Sequence, residues 1–293
     1  MEGNSGIDTI PSGRYSNYMK TNSLSQKIVV LIGASGGLGG AMAEKLDDAG
    51  CKLVLAGRNQ DALDRLSGRL SGSHITAQVD LTRPESIDAL CKLTLDHFSR
   101  VDAVIDVGGM DLRKPFLQHT PEEITRIVNL NLVGAMQVTR TFLQVMRQQG
   151  SGQIVLVGGF GNGRLSFPYF APDVAARAGL AAFVDTINRE LKLENIPVTV
   201  TFFSPEPART EAERPYYELW DSIGTAIAPV EKVAADMASV LEKKKESHIM
   251  GGLSTRLYGI INDLFPALFG KILLSLYGKV IKDYLGKGVH EPG

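Results

Sequence analysis

Residues 27–39, KIVVLIGASGGLG, decide the fold. The first six form an unbroken apolar, β-branched run, the pattern of a strand buried on both faces in a parallel sheet. From Gly37 the apolar positions take helical spacing as far as Ala49, and Gly50 ends the helix as a C-cap. Between strand and helix lie Gly33, Ser35, Gly37, Leu38 and Gly39. Glycines there permit a tight turn and a close approach of backbone to a pyrophosphate. The helix points free N–H groups and the positive end of its dipole at the same place. With a strand before it and a helix after it, the stretch reads as a dinucleotide site.

Outward from this unit the pattern repeats. Strands are expected at 52–56, 74–79, 101–107, 153–157, 197–203 and, short, 247–250. Helices are expected at 60–70, 84–97, 120–148, 172–193 and 229–244. Alternation of this kind means βαβ units, and right-handed crossovers turn them into a doubly wound parallel α/β sheet. There is no second series and no internal repeat. One domain therefore covers 27–252, between a polar tail at 1–26, read as mobile, and an extension at 253–293. Ligands of such sheets lie beyond the carboxyl ends of the strands. After the second strand stands Arg58, where an acid would bind the ribose hydroxyl of NAD; an arginine accommodates the 2′-phosphate of NADP. The Ser35 hydroxyl can reach that phosphate too, and Asp80-Leu81 would flank the adenine. The expected cofactor is NADP(H).

Composition narrows the class. With 31 basic and 32 acidic residues among 293, there is no basic excess, so no nucleic-acid partner is expected. Two cysteines, Cys51 and Cys91, make neither a disulfide framework nor a zinc ribbon. They fit a reduced, cytoplasmic protein, and no metal site is expected. The N-terminus, MEGNSGIDTIPSGRYSNYMK, is no secretory signal.

GASGGLG, AGRN, DLT, NLNLVG, SGQIVLVGG and RAGLAAFVDTINREL, in that order across residues 27–250, resemble the short-chain dehydrogenase/reductase family. The resemblance implies a single Rossmann domain with strand order 3-2-1-4-5-6-7, assembled as a dimer or tetramer. Gly33, Gly37 and Gly39 match the family's glycine motif, and Asp80 its adenine-pocket acid. The family's NNAG segment reads Asp106-Val107-Gly108-Gly109 here, with Gly108 in the cofactor set. Thr210 matches the threonine that contacts the nicotinamide amide.

The family works with Asn, Ser, Tyr and Lys. Its tyrosine exchanges the substrate proton, its lysine tunes the tyrosine and holds the nicotinamide ribose, its serine positions the carbonyl and its asparagine anchors a relay water. Asn131 falls on the asparagine. Counting back from Arg189-Glu190-Leu191 puts Arg177 at the lysine and Asp173 at the tyrosine, and the serine position falls on Gly159. The usual Pro-Gly after the sixth strand is Pro205-Glu206. Asp173 and Arg177 are four residues apart on one helix and can pair. A neighbouring cation favours the ionised carboxylate, which has no proton to donate. Asp173 can instead serve as a base, bind a cationic or hydroxyl-bearing substrate, or simply complement the helix dipole. Tyr169, on the loop entering the helix, offers a shifted tyrosine, as Ser166 offers a hydroxyl; packing competes with catalysis for Tyr169. Glu206 is a further candidate acid or a plug. His119 reads as a solvated residue at a helix start.

Residues 204–228 correspond to the family's mobile lid, where Tyr216, Tyr217 and Trp220 can wall an apolar pocket. From 257 to 285 apolar residues recur in pairs at helical spacing, broken by Pro266 and glycines into two or three pieces. Lys271, Lys279, Lys282 and Lys287 dominate the other face. A basic amphipathic helix suits peripheral contact with a membrane, or packing on its own domain or a partner subunit. The sum is an NADP(H)-dependent oxidoreductase with an altered catalytic set, acting on a small apolar carbonyl or alcohol such as a lipid, sterol or isoprenoid. Two readings stand beside it: a non-catalytic NADP- or lipid-binding protein, and non-redox chemistry with Asp173 or Glu206 as base.

Overall fold

Every residue of β1, Ile28–Ile32, is buried, and the alternation of side chains explains why the whole run is apolar. Val30 and Ile32 join Val54 and Ala56 against one layer of helices, while Val29 and Leu31 join Leu53 and Leu55 against the other. The first layer brings Ile87, Val138, Phe142 and Leu180; the second brings Met42, Leu46, Val233 and Met237. The computed structural model describes residues 23–286.

Seven strands pair in parallel: β1, β2 (Lys52–Gly57), β3 (Ile75–Gln78), β4 (Ala103–Asp106), β5 (Gly152–Val157), β6 (Val198–Ser204) and β7 (Ser247–Ile249). Their order, β3-β2-β1-β4-β5-β6-β7, is the expected one. Crossover helices are α1 (Gly37–Asp48), α2 (Gln60–Ser67), α3 (Pro84–Phe98), α4 (Pro121–Val128), α5 (Ala135–Gln149) and α6 (Ala171–Leu193). They are followed by α7 (Tyr217–Ser222), α8 (Val230–Lys243), α9 (Leu253–Leu264) and α10 (Pro266–Leu285). The chain leaves β1 toward β2 on one side and meets β4 on the other. That switch point opens the crevice in which such sheets bind ligands.

Three expectations need correction. The single helix expected at 120–148 is α4 and α5 joined by a π-helical turn, Asn129–Gly134, which interrupts the regular ladder and carries Asn131. The packed chain starts before residue 27: Leu24 is buried and the Gln26 N–H donates to the Gly50 carbonyl at 2.8 Å, whereas the tail at 1–22 lies outside the described residues. His119 is buried rather than solvated, and burial lowers its pKa, so the ring is neutral.

The C-terminal extension breaks once, at Phe265-Pro266, and α10 runs through Gly270 and Gly278 without interruption. Ile281 and Leu285 are buried in a cluster with Phe170, Leu219 and Trp220, so α10 braces the lid. Ile272, Leu274 and Leu276 of the same helix face outward. Lys287 lies outside the described residues. Among those residues no helix is long and apolar enough to cross a membrane.

Candidate active site

Two clefts lie at the carboxyl ends of the strands. The first, of about 490 Å3, is lined by Gly33, Ser35, Gly36, Arg58, Leu81 and Gly108, among others. Its floor is the glycine turn. Gly33 has a φ of +82°, and its N–H donates to the Ala56 carbonyl at 2.8 Å. A Cβ at Gly39 would lie 2.1 Å from the Gly33 carbonyl oxygen, so only glycine lets α1 close on the turn. The N-terminus of α1 has no side-chain cap and no acid in its first turn, which leaves its N–H groups for an anion. By contrast, Asn59 caps α2, and Thr120 with Glu123 forms a capping box on α4.

Arg58 is exposed at the rim and forms no salt bridge among the described residues. Ser35 sits beside it, its Oγ 3.2 Å from the site of a Cβ on Gly57. Leu81 forms an apolar wall, as expected. Asp80 is not part of the lining: its Oδ1 accepts from the Thr82 N–H at 2.9 Å and hydroxyl at 2.7 Å, which with Arg58 and Arg83 holds the carboxyl below its usual range.

The second cleft is a chamber of about 260 Å3. Leu38 and Thr210 stand at its cofactor end, and Thr210 packs against Gly37, with Cγ2 3.1 Å from the site of a Cβ there. Leu165, Phe167, Phe170, Val174 and Trp220 make much of the wall apolar. Of the aromatics expected on the lid, Trp220 alone lines the chamber. Tyr216 lies beneath it, and the Tyr217 hydroxyl donates to the Thr210 carbonyl at 3.1 Å.

Asn131, Asp173 and Arg177 come together in the structure. Asn131 is 1% exposed and clamps Met110, accepting its N–H at 2.9 Å and donating to its carbonyl at 2.7 Å. The same amide donates to Asp173 Oδ1 at 2.7 Å, which also accepts from Arg177 Nε at 3.2 Å. Arg177 Nη1 donates to the Val157 carbonyl at 2.6 Å. The guanidinium fills space that side chains would otherwise take. A Cβ on Gly109 would lie 2.6 Å from Nη2, and one on Gly159 would lie 3.2 Å from Arg177 Cγ. Ser204 fixes the neighbouring loop: its single O–H is shared between the carbonyls of Gly159, at 2.7 Å, and Gly161.

Tyr169 must be corrected: it does not line the chamber. The residue has a φ of +73°, and its hydroxyl lies 3.3 Å from where a Cβ on Gly286 would sit, at the end of α10. Its ring packs with the cluster that braces the lid. Glu206 does reach the chamber wall, but Lys232 of α8 neutralises it at 2.7 Å.

Sequence reasoning missed a second set of polar residues. Arg113 donates through Nε to Asp111 Oδ2 at 2.6 Å and grips Glu213 with both terminal nitrogens, at 2.7 and 2.8 Å. The guanidinium lies 3.9 Å from the centre of the Tyr216 ring, and Trp220 Nε1 donates to Glu213. Asp111, Arg113 and Glu213 all line the chamber. Burial raises the Asp111 carboxyl above the usual range; Arg113 opposes this, while Asp173 and Glu213 add to it. A third acid, Asp106, is 4% exposed, accepts the Gly108 N–H at 2.8 Å and is pushed up to about 6 by burial, with Arg177 opposing. The cue available in the sequence was the charge density of Asp111-Leu112-Arg113-Lys114 just after a strand end.

Known proteins agree with this architecture. The model of the short chain dehydrogenase family matches residues 27–218. "Dehydrogenase/reductase SDR family member 7B" of Bos taurus is 28% identical over 264 residues, which is 85% of this chain and 80% of the relative. An uncharacterized oxidoreductase of Staphylococcus epidermidis is 28% identical over 60% of this chain and 76% of its own. Among solved structures, a short-chain dehydrogenase from Streptomyces avermitilis superposes with a TM-score of 0.70 at 24% identity, over 88% of this chain and 99% of that one. A metagenomic short-chain oxidoreductase in complex with NADP gives 0.65 at 21% identity, over 78% and 97%. With the family model covering most of the chain, and the strand order and glycine turn in place, this protein belongs to the short-chain dehydrogenase family.

Proposed function

We propose that the protein is an NADP(H)-dependent oxidoreductase that acts on an apolar carbonyl or alcohol, of lipid, sterol or isoprenoid character. The observation that carries this reading is a pair of clefts at the carboxyl ends of the strands, one rimmed by Arg58, which has no salt bridge among the described residues, the other largely apolar. The residues fit the dinucleotide: Gly33 and Gly39 of the turn have no room for a Cβ, and α1 offers uncapped N–H groups. Gly33, Ser35, Gly37, Leu38 and Gly39 would hold the pyrophosphate, Arg58 and Ser35 the 2′-phosphate, and Leu81 the adenine. Gly108, Thr210 and Arg177 would border the nicotinamide end. The cofactor, when bound, supplies a hydride. The chain's part is to orient the substrate, exclude water and handle the proton. The solved relative that holds NADP supports the cofactor choice. Titration of the intact protein should show NADPH binding more tightly than NADH, and Arg58→Glu should reverse the order. Equal affinities in the wild type reject the reading.

A second reading, a non-catalytic NADP- or lipid-binding protein, draws on one observation: no tyrosine replaces the one that Asp173 displaces, since Tyr169 faces α10. Turnover of any carbonyl by the purified chain decides against it. For the outer face of α9 and α10, where Leu268, Leu274 and Leu276 are exposed beside Lys271 and Lys279, we propose peripheral contact with an anionic membrane. Assembly into a dimer or tetramer is the corresponding proposal for quaternary state, to be read by light scattering.

A further inference from the structure

We propose that Asp111 is the group that gives the proton to the substrate oxygen in reduction and takes it back in oxidation. The inference rests on the oxidoreductase reading above and names the acid that this reading lacks.

The candidates are few, and geometry separates them. The Tyr169 hydroxyl lies at the end of α10. Glu206 is paired with Lys232, and Glu213 has both oxygens engaged by Arg113. Asp173 Oδ1 takes hydrogen bonds from Asn131 and Arg177, partners that suit a carboxylate. Asp111, like Asp173 and Glu206, lines the chamber with one oxygen held, here Oδ2 by Arg113 Nε; it differs in its other oxygen, Oδ1, which is shut off from solvent with no hydrogen-bond partner. A buried carboxylate oxygen without a donor is costly, so the site favours either a proton on it or a donor brought by the ligand. These are the two states an acid and base must alternate between.

The surroundings set the balance and the position. The charged and titratable groups facing Asp111 are Arg113 on its own loop, Glu213 and Tyr216 from the lid, and Asp173 from α6. Two carboxylates against one cation, together with burial, favour the protonated form. Arg113 is held protonated by Asp111 and Glu213 and is clamped between the Tyr216 and Phe170 rings, so Asp111 is anchored at one oxygen only. In the reductive direction, as the carbonyl carbon accepts a hydride from the reduced nicotinamide dinucleotide, the C=O π pair moves onto oxygen. That oxygen takes the Asp111 proton. The products are the alcohol, the oxidised dinucleotide and an Asp111 carboxylate stabilised by Arg113; the side chain as a whole is 29% exposed, and through that exposed part a solvent proton returns to the carboxylate once the alcohol has left.

The test uses the full chain, NADPH and two probes. Reduction of 2-decanone leaves charge on an alkoxide and needs a proton donor. Reduction of 9,10-phenanthrenequinone leaves a delocalised anion and does not. Asp111→Asn should lose about 10²- to 10⁴-fold in kcat/KM on the ketone, the usual span of general acid catalysis. It should change little on the quinone and leave NADPH affinity, read by fluorescence, as in the wild type. Tyr169→Phe should leave all three unchanged. A purely structural role for Asp111 would lower both probes together, and that result, or an unaffected ketone, overturns the proposal. A second readout needs no turnover. In the NADPH complex, the infrared difference between wild type and Asp111→Asn should show a protonated-carboxyl band that fades only above the ordinary carboxylate range. A band already lost within the ordinary range also overturns it. Wild type that binds NADPH but reduces neither probe instead defeats the oxidoreductase reading, and with it the role assigned to Asp111.

Discussion

Asp106 stands where the family has an asparagine, and replacing it with asparagine should stabilise the protein at neutral and higher pH. Its Oδ1 accepts the Gly108 N–H, a bond that an asparagine oxygen keeps; what the substitution removes is a buried charge. Burial pushes the carboxyl up to about 6, roughly two units above its unfolded value. At about 1.4 kcal/mol per unit this is up to ~3 kcal/mol. The sign follows from proton binding. The folded state holds the Asp106 proton more firmly than the unfolded state, so stability falls as pH rises from about 4 through about 6 and levels off above that. Asp106→Asn escapes the fall. Its advantage should be about 3 kcal/mol at pH 8, about half that at pH 5 and well under 1 kcal/mol at pH 4. Urea unfolding of both proteins at these three pH values measures it, and Asp111 and every other titrating group common to the two cancel in the difference. An advantage independent of pH, or a destabilised variant at pH 8, would refute the argument that charge burial dominates at this position.

Two further outcomes are expected. Gly159→Ser should cost about 1–3 kcal/mol in thermal or urea unfolding, because its Cβ is pressed against Arg177 Cγ; combined with Arg177→Ala, which removes that Cγ, the serine should cost less than it does alone, and strictly additive effects would contradict the packing account. Leu274→Ser with Leu276→Ser on the outer face of α10 should weaken sedimentation with phosphatidylserine vesicles at unchanged Tm, whereas vesicle binding equal to that of the wild type, or none by the wild type, removes the membrane proposal.

What was legible in the sequence was whatever is written locally. The glycine turn is dictated by backbone geometry, so Gly33 and Gly39 announce it by composition alone. Asp173 and Arg177 are legible because one helix fixes their spacing, and Asn131 because a counted register reaches it. The Asp111–Arg113–Glu213 cluster is not written that way. Its members come from two loops 100 residues apart that meet only because β4 and β6 end on the same side of the sheet. Tyr169 failed for a related reason: its neighbour is the end of α10, which the local sequence around it cannot specify. The π turn at Asn131 left no mark in the hydrophobic period, because it interrupts a helix without changing which residues face the core. His119 was misjudged because its position before a helix suggests solvent, while tertiary packing buries it.

On the register counted from the sequence, the residues at 159, 173 and 177 form one packing solution rather than three separate losses. A guanidinium at position 177 is broader than a lysine would be there, and it is accommodated because Gly109 and Gly159 present no side chain to it. Its Nη1 and Nε are spent on the Val157 carbonyl and Asp173, so a carboxylate at 173 pairs with the arginine as a phenol would not. Asn131 then binds Asp173 from the other side, which joins the π turn to α6. A serine at 159 would press its Cβ to 3.2 Å from Arg177 Cγ, and a tyrosine at 173 would leave the arginine with one partner fewer. Restoring any one family residue alone should therefore harm the site more than restoring all three. The proton function proposed for Asp111 thus falls on a residue outside the set, one that lines the same chamber and is independently anchored by Arg113.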